Sequence, residues 1–355
     1  MAENNEKNKM ILSSAPHIRA GYSIPHVMWL VVFALIPAAS YGVYLNGLRA
    51  LWVILTCVAS AVFAEFLIRV LLKRSVTVHN GAAVITGLLL AMNLSPEFPL
   101  WMAALGSFFA IIIVKEIFGG LGFNIWNPAL AARAFLMLSW PGHMTSKWHQ
   151  FSDGNILSGS VVNSGISDQA FTIITGATPL GALKEGAVKL AESGLDVSSL
   201  HSVLFSNSML KSLFFGDVGG CIGETSVLFL LVGALILLVT GVITWHTPVS
   251  YILSFSTVIF SYYFFTDSSE PVRALLFHLL SGGLMIGAFF MATDMVTSPV
   301  SKKGMLIFGA GCGLIAASIR LFGGYPEGVS YSILFMNTLV PIIDRYTKNK
   351  VYGKR

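Results

Sequence analysis

Ser95-Pro96, an apolar run and Phe118-Gly119-Gly120 leading into Asn127-Pro128-Ala129 form a stretch with an echo later in the chain. The echo is Ser298-Pro299, an apolar run and Phe322-Gly323-Gly324 leading into Tyr325-Pro326-Glu327-Gly328. The Ser-Pro to Phe-Gly-Gly separations differ by one residue. Upstream, Gly87-Leu88-Leu89-Leu90-Ala91-Met92 faces Gly287-Ala288-Phe289-Phe290-Met291-Ala292. About five spans, by the length rule for membrane helices, separate equivalent points. An odd number turns the second copy upside down. Inverted repeats with broken helices hold their sites at the repeat interface, near the membrane midplane.

The composition agrees with a membrane fold. Of 355 residues, 55% are hydrophobic and 11% charged, and the mean hydropathy is +0.74. Soluble domains carry about 25% charged residues, so soluble-enzyme readings start far behind. The net charge of +5 is spread among loops, which fits membrane orientation and not nucleic-acid binding. The expected fold is an all-α polytopic membrane protein of about ten helices in two inverted five-helix repeats. The expected spans are His26–Tyr44, Leu51–Leu72, Ala82–Met92, Leu100–Phe118 and Pro128–Trp140, then Ser226–Thr244, Val249–Phe265, Val272–Met291, Met305–Phe322 and Val329–Ile343. The third, fifth and last are short and bounded by Gly, Pro and Asn, the pattern of half-helices abutting a cavity.

This divides the chain into a cytoplasmic segment 1–25, a first repeat 26–140, a polar segment 141–224, a second repeat 225–343 and a tail 344–355. No removable signal peptide is recognisable in the first segment. Lys73-Arg74, Lys302-Lys303 and the basic tail fall on one side, which the positive-inside rule makes cytoplasmic. Both termini are then cytoplasmic, and 141–224 faces the outside.

Ionisable groups inside spans are costly and suggest an ion path or a partner. Asp294 and Glu116 are the candidates for an ion path. Glu65 pairs most simply with Arg69, one helical turn on. Glu224, opening the sixth span, suits a helix N-terminal carboxylate. Cys57, Cys221 and Cys312 lack metal-site spacing and read as small buried hydrophobes. The histidines show no HxxxH, so no metal site is expected.

Within 141–224, Thr175-Gly176-Ala177-Thr178-Pro179-Leu180 combines small residues, which let a partner approach the backbone, with a hydroxyl. Its plain reading is a Thr-Pro turn. A phosphate loop is excluded, because Ala182-Leu183 follows Gly181 where Lys and Ser/Thr are needed. A water channel needs Asn-Pro-Ala twice, and the second copy reads Tyr325-Pro326-Glu327.

Five motifs together resemble one family. Thr175-Gly176-Ala177-Thr178 is similar to the flavinylation motif Ser/Thr-Gly-Ala-Thr. Gly220-Cys221-Ile222-Gly223-Glu224-Thr225-Ser226, Phe118 through Ala129, Phe290-Met291-Ala292-Thr293-Asp294 and Phe322 through Val329 complete the likeness. It is to RnfD, the D subunit of the Rnf ion-translocating electron-transport complex, and to its relative NqrB of the sodium-pumping NADH:quinone reductase. It covers about Ser14 to Ile343. Where the family motif often has an acidic residue six positions before the modified Thr, this chain has Thr172.

The resemblance implies a subunit of a redox-driven ion translocase in the bacterial cytoplasmic membrane. Electrons would pass between ferredoxin and NAD, with Na⁺ or H⁺ crossing. FMN would be bound covalently at Thr178 by a phosphoester, with Thr175, Gly176 and Ala177 making room. The partners implied are the flavin-bearing RnfG, the membrane proteins RnfA and RnfE, a flavin transferase for maturation, and lipid. The quinone-reductase relative also holds a non-covalent riboflavin, so a second flavin is open here. Repeats and broken helices alone fit equally a secondary transporter or channel without cofactor.

Overall fold

The computed structural model describes residues 23–145, 178–192, 197–216, 218–266, 270–325 and 327–348. Thr175, Gly176 and Ala177 lie outside the described residues, as does the segment 1–22.

The described residues are helical, with no strand among them. The first half comprises α1 (Ile24–Leu71), α2 (Ala82–Met92), α3 (Leu100–Phe108, continued as a π-helix over Phe109–Glu116), α4 (Pro128–Ser139) and α5 (Pro141–Thr145). Then come α6 (Pro179–Glu192), α7 (Val197–Leu204), α8 (Asn207–Phe215) and a 3-10 turn, Ile222–Glu224. The second half comprises α9 (Val227–Val239), α10 (His246–Phe265), α11 (Pro271–Leu280), α12 (Leu284–Ile286, continued as a π-helix over Gly287–Met291), α13 (Lys302–Phe322) and α14 (Val329–Tyr346).

A straight helix of the 48 residues in α1 would be about 72 Å long at 1.5 Å per residue. That is more than twice the roughly 30 Å hydrocarbon core. The chain breaks at Gly47, whose φ of 71° and ψ of −167° lie outside the helical region. Trp29 Nε1 donates to His79 O at 3.2 Å, so the start of α1 lies beside the segment that follows its end. The helix therefore doubles back at Gly47, and the two expected spans follow each other without a loop.

Three described helices are long and apolar enough to cross a membrane: α1, α10 and α13. The pair α11–α12, bent by 65° at Ser281-Gly282-Gly283, makes a fourth candidate. The expected short third and fifth segments are α2 and α4, of 11 and 12 residues. The last runs three residues further than expected, to Tyr346. Outward-facing Phe33, Trp52, Phe63, Leu235, Val239 and Phe265 present an apolar exterior, which a hydrocarbon environment tolerates and water does not.

The two halves meet at their first helices. A Cβ on Gly233 of α9 would sit 2.2 Å from Ala34 O of α1. Small residues at such crossings let backbones approach, as membrane helix packing favours. Likewise a Cβ on Gly313 of α13 would sit 2.4 Å from Tyr251 O of α10. Gly233→Val should push α1 and α9 apart, costing at least the roughly 1–3 kcal/mol typical of overpacking. A lowered melting temperature of the detergent-purified protein checks this, and an unchanged one refutes the close crossing.

The described part of the polar segment holds four helices, α5 to α8, and a 3-10 turn. Ser206 Oγ accepts from Met209 N at 3.3 Å and caps α8, and Gly216, at φ 112°, ends it. Leu200, Leu204, Met209 and Leu213 are buried. Phe205 stacks edge-on against Tyr263 and Phe277, docking this segment on the second half.

The two Phe-Gly-Gly stretches differ in conformation. Gly119 and Gly120 have φ of 122° and 95°, which favours glycine. Gly323 has φ −76°; there a Cβ would meet Ile319 O at 2.6 Å, so space is the constraint.

Candidate functional sites

Thr178 is the residue just ahead of α6, not part of a free turn. Its carbonyl accepts from Ala182 N at 2.7 Å, and its Oγ1 accepts from Gly181 N at 3.1 Å. Pro179 takes the first helical position, where a missing N–H costs nothing. The Thr178 hydroxyl thus sits at a helix N-terminus, where free N–H groups and the helix dipole favour an anion. The residue is 9% exposed and lines a small pocket of about 270 Å³ with Gly219, Glu224, Gly282 and Glu327.

Two contacts hold α6 there. Lys184 Nζ donates to Tyr325 O at 3.0 Å and to Gly323 O, tying α6 to the second Phe-Gly-Gly turn. Leu180, 3% exposed, rests on Gly282, where a Cβ would come within 2.6 Å of Leu180 Cδ1.

Beneath the pocket the halves are joined by polar bonds. Arg133 of α4, 6% exposed, pairs with Glu327 and donates to Asn93 Oδ1 at 2.8 Å and Ser330 Oγ at 3.2 Å. Asn127 caps α4 by accepting from Ala129 N at 3.1 Å and Leu130 N at 3.3 Å. Its Nδ2 donates to Met291 O at 3.3 Å. The first Asn-Pro therefore starts a helix and bridges the repeats, while Glu327 in the second copy serves Arg133.

Glu224 corrects a sequence expectation. It does not cap α9, whose preceding residue is Ser226. It turns into the Thr178 pocket, with Oε1 buried and unpartnered. Burial in a confined site beside Glu327 outweighed the simple helix-start geometry.

Asp294 lies elsewhere, in a cleft of about 800 Å³. Its Oδ2 accepts from Thr297 Oγ1 at 3.0 Å, and its Oδ1 from Val296 N at 3.4 Å. Asn124, Asn127, Lys115 and Phe290 share this cleft. Val27 and Met28 line it as well, whereas Gly42, further along the same helix, packs on Ile222 beside Glu224. Fifteen residues from Val27 to Gly42 span roughly 20 Å at 1.5 Å per residue, so cleft and Thr178 pocket lie near opposite ends of that helix.

Glu116 is not brought into the cleft. Fully buried, it bonds Arg69 at 3.1 Å through Oε1, and its Oε2 has no partner. Glu65 lies 3.7 Å from Arg69, as the helical spacing suggests, but its nearer partner is Lys115 at 2.8 Å. The four charges form one neutral buried network, and Lys115 is its only member lining the cleft. Cys57, Cys221 and Cys312 are buried free thiols. Among the described residues no cluster of three metal-ligating side chains occurs.

Arg133, Arg320 and Glu327 escaped the sequence reading. The signal was present: Arg133 and Arg320 stand inside expected apolar spans, where a charge calls for a partner.

The fold and the two cavities described define a class: a helical membrane protein with buried charges joining its halves, not a soluble enzyme. The chain belongs to the NQR2, RnfD, RnfE family, whose profile it matches over residues 11–353. It is 46% identical over 349 residues to the D subunit of the Na(+)-translocating ferredoxin:NAD(+) oxidoreductase complex of Acetobacterium woodii, covering 98% of this chain and 96% of that one. It is 43% identical over 353 residues to the D subunit of the proton-translocating ferredoxin:NAD(+) oxidoreductase complex of Clostridium ljungdahlii, covering 99% and 98%. An Escherichia coli relative, the D subunit of an ion-translocating oxidoreductase complex, is 36% identical over 366 residues, covering 97% and 98%.

Proposed function

We propose that this chain is the D subunit of an ion-translocating ferredoxin:NAD⁺ oxidoreductase, carrying FMN on Thr178 through a phosphoester. The observation that carries the reading is the position of the Thr178 hydroxyl: at the N-terminus of a 14-residue helix, beside a glycine-lined pocket. That setting fits the phosphate of FMN, since N-terminal N–H groups stabilise an anion. In this reading the ester lies at the pocket and the flavin ring outside it. Bound FMN would supply electron exchange, one or two at a time. The chain's own residues do the positioning: Lys184 and Leu180 hold α6, and the Arg133–Glu327 pair braces the floor.

The cleft beside Asp294 suits a second, non-covalent flavin such as riboflavin. Its walls are mostly apolar, and Asn124, Asn127 and Asp294 add a few polar groups to the lining, the composition usual for ligand pockets.

The full architecture proposed is ten helices in two inverted repeats, with the Gly47 reversal supplying the first two. The Thr178 segment faces outward and both termini lie in the cytoplasm of the bacterial cell. RnfA, RnfE and RnfG are the proposed partners, with a flavin transferase for maturation. The two relatives named for different ions are similarly identical to this chain, so overall likeness does not decide between Na⁺ and H⁺.

The deciding experiment is the intact mass of the chain purified from its own host. An increment of one FMN is expected. An unmodified mass would leave a transporter without covalent cofactor. For the ion path, Asp294→Asn should weaken the ion dependence of the whole complex while leaving in-gel flavin fluorescence of the chain intact. Unchanged ion dependence would remove Asp294 from the path.

A further inference from the structure

Flavin attachment gives no role to Glu224 on the floor of the Thr178 pocket. Glu224, from the 3-10 turn, and Glu327, ahead of α14, both line it. Two carboxylates sharing one confined site repel, which favours a proton on one of them. Both reach the break between α11 and α12. A Cβ on Gly282 would lie 3.2 Å from Glu327 Oε1 and 3.1 Å from Arg320 Nη2. One on Gly283 would lie 3.3 Å from Glu224 Oε1 and 3.8 Å from Arg133 Nη1.

Three polar atoms at this break have no partner: Glu224 Oε1, Arg320 Nε and Ser281 Oγ. Arg320 is 5% exposed and Ser281 fully buried. Unsatisfied groups gathered in one place call for an explanation. Arg320 otherwise donates to the carbonyls of His278 and Ser281.

We propose that Glu224 and Glu327, held between Arg133 and Arg320 beneath Thr178, form a proton-binding site at the interface of the two repeats. With both guanidiniums charged and Glu327 ionised, Glu224 alone decides whether the cluster carries one positive charge or none. A proton fits better than a metal cation, which takes a shell of several oxygens and would be repelled by two guanidiniums. Burial, with the adjacent Glu327 carboxylate, pushes the Glu224 carboxyl well above its usual range, although Arg133 opposes this. Burial also works against ionised Glu327, but Arg133 outweighs it and holds that group below its usual range. Among the described residues, Cys221, on the same turn as Glu224, is the remaining titratable neighbour. The site rests on these contacts and not on a flavin at Thr178.

Infrared difference spectroscopy of the assembled complex tests it. At neutral pH the wild type should show a protonated-carboxyl C=O band that Glu224→Gln loses. Thr178→Ala should keep that band, which separates this proposal from flavin attachment. The band should discharge only above the ordinary carboxyl range as pH rises, and Na⁺ at fixed pH should leave it in place. Should Glu224→Gln not assemble, Glu224→Asp serves: the band should persist at a shifted position. Identical spectra for wild type and the assembled Glu224 variant would overturn the site, as would loss of the band on adding Na⁺.

Discussion

Thr178→Ala is expected to remove all covalent flavin from the chain. In a denaturing gel the wild type, matured in its own host, should fluoresce and the variant should be dark, with its intact mass lowered by one FMN. The variant should still fold. Losing the hydroxyl that accepts from Gly181 N removes one helix cap, worth about 1 kcal/mol, while Lys184 and Leu180 still dock α6. Thr178→Ser keeps an oxygen at the helix N-terminus and should retain part of the label. Electron transfer from ferredoxin to NAD through the whole complex should fall to background in the alanine variant only. A fluorescent Thr178→Ala chain would move the attachment site elsewhere.

Arg133→Met is expected to be the most destabilising single change of the interior. Arg133 is held by Glu327, Asn93 and Ser330, so its loss unties α4 from the second half. It also strands the Glu327 carboxylate, and breaking a buried pair from one side costs about 3–5 kcal/mol. Removing the second charge as well, in Arg133→Met with Glu327→Gln, should recover much of that cost, because the stranded charge and not the lost attraction is the larger part. Thermal melting of the purified protein, with the double variant compared against both singles, reads this directly. If the double variant melts no higher than Arg133→Met, Glu327 is not what the arginine neutralises.

Much of the frame was legible in the residues. Long apolar runs announced α10 and α13, and Gly, Pro and Asn at their borders announced the short α2 and α4. Asn127-Pro128 carried its own local instruction, since an Asn before a first-turn Pro is a helix start in any setting. The motif ending in Thr178 marked one hydroxyl from the resemblance alone. What could not be read was everything that depends on which surfaces meet. Residues 179–192 looked like loop because a polar, glycine-containing stretch has little helix signal until one face docks. Glu224 looked like a cap because that role needs only its own helix, whereas its actual neighbour is about a hundred residues away in Glu327 and nothing local pairs them.

The order of apolar runs and breakers, by itself, determined that this chain is a helical membrane protein with interrupted segments, because water excludes such runs and lipid demands that their backbone bonds close internally. The tertiary structure alone decided that Asp294 faces a cleft while Glu116 is sealed in a neutral ion network, and that Thr178 stands above two carboxyls and two guanidiniums. Charge partnership inside a membrane protein is set by distance across packed helices, and that distance has no trace in sequence separation.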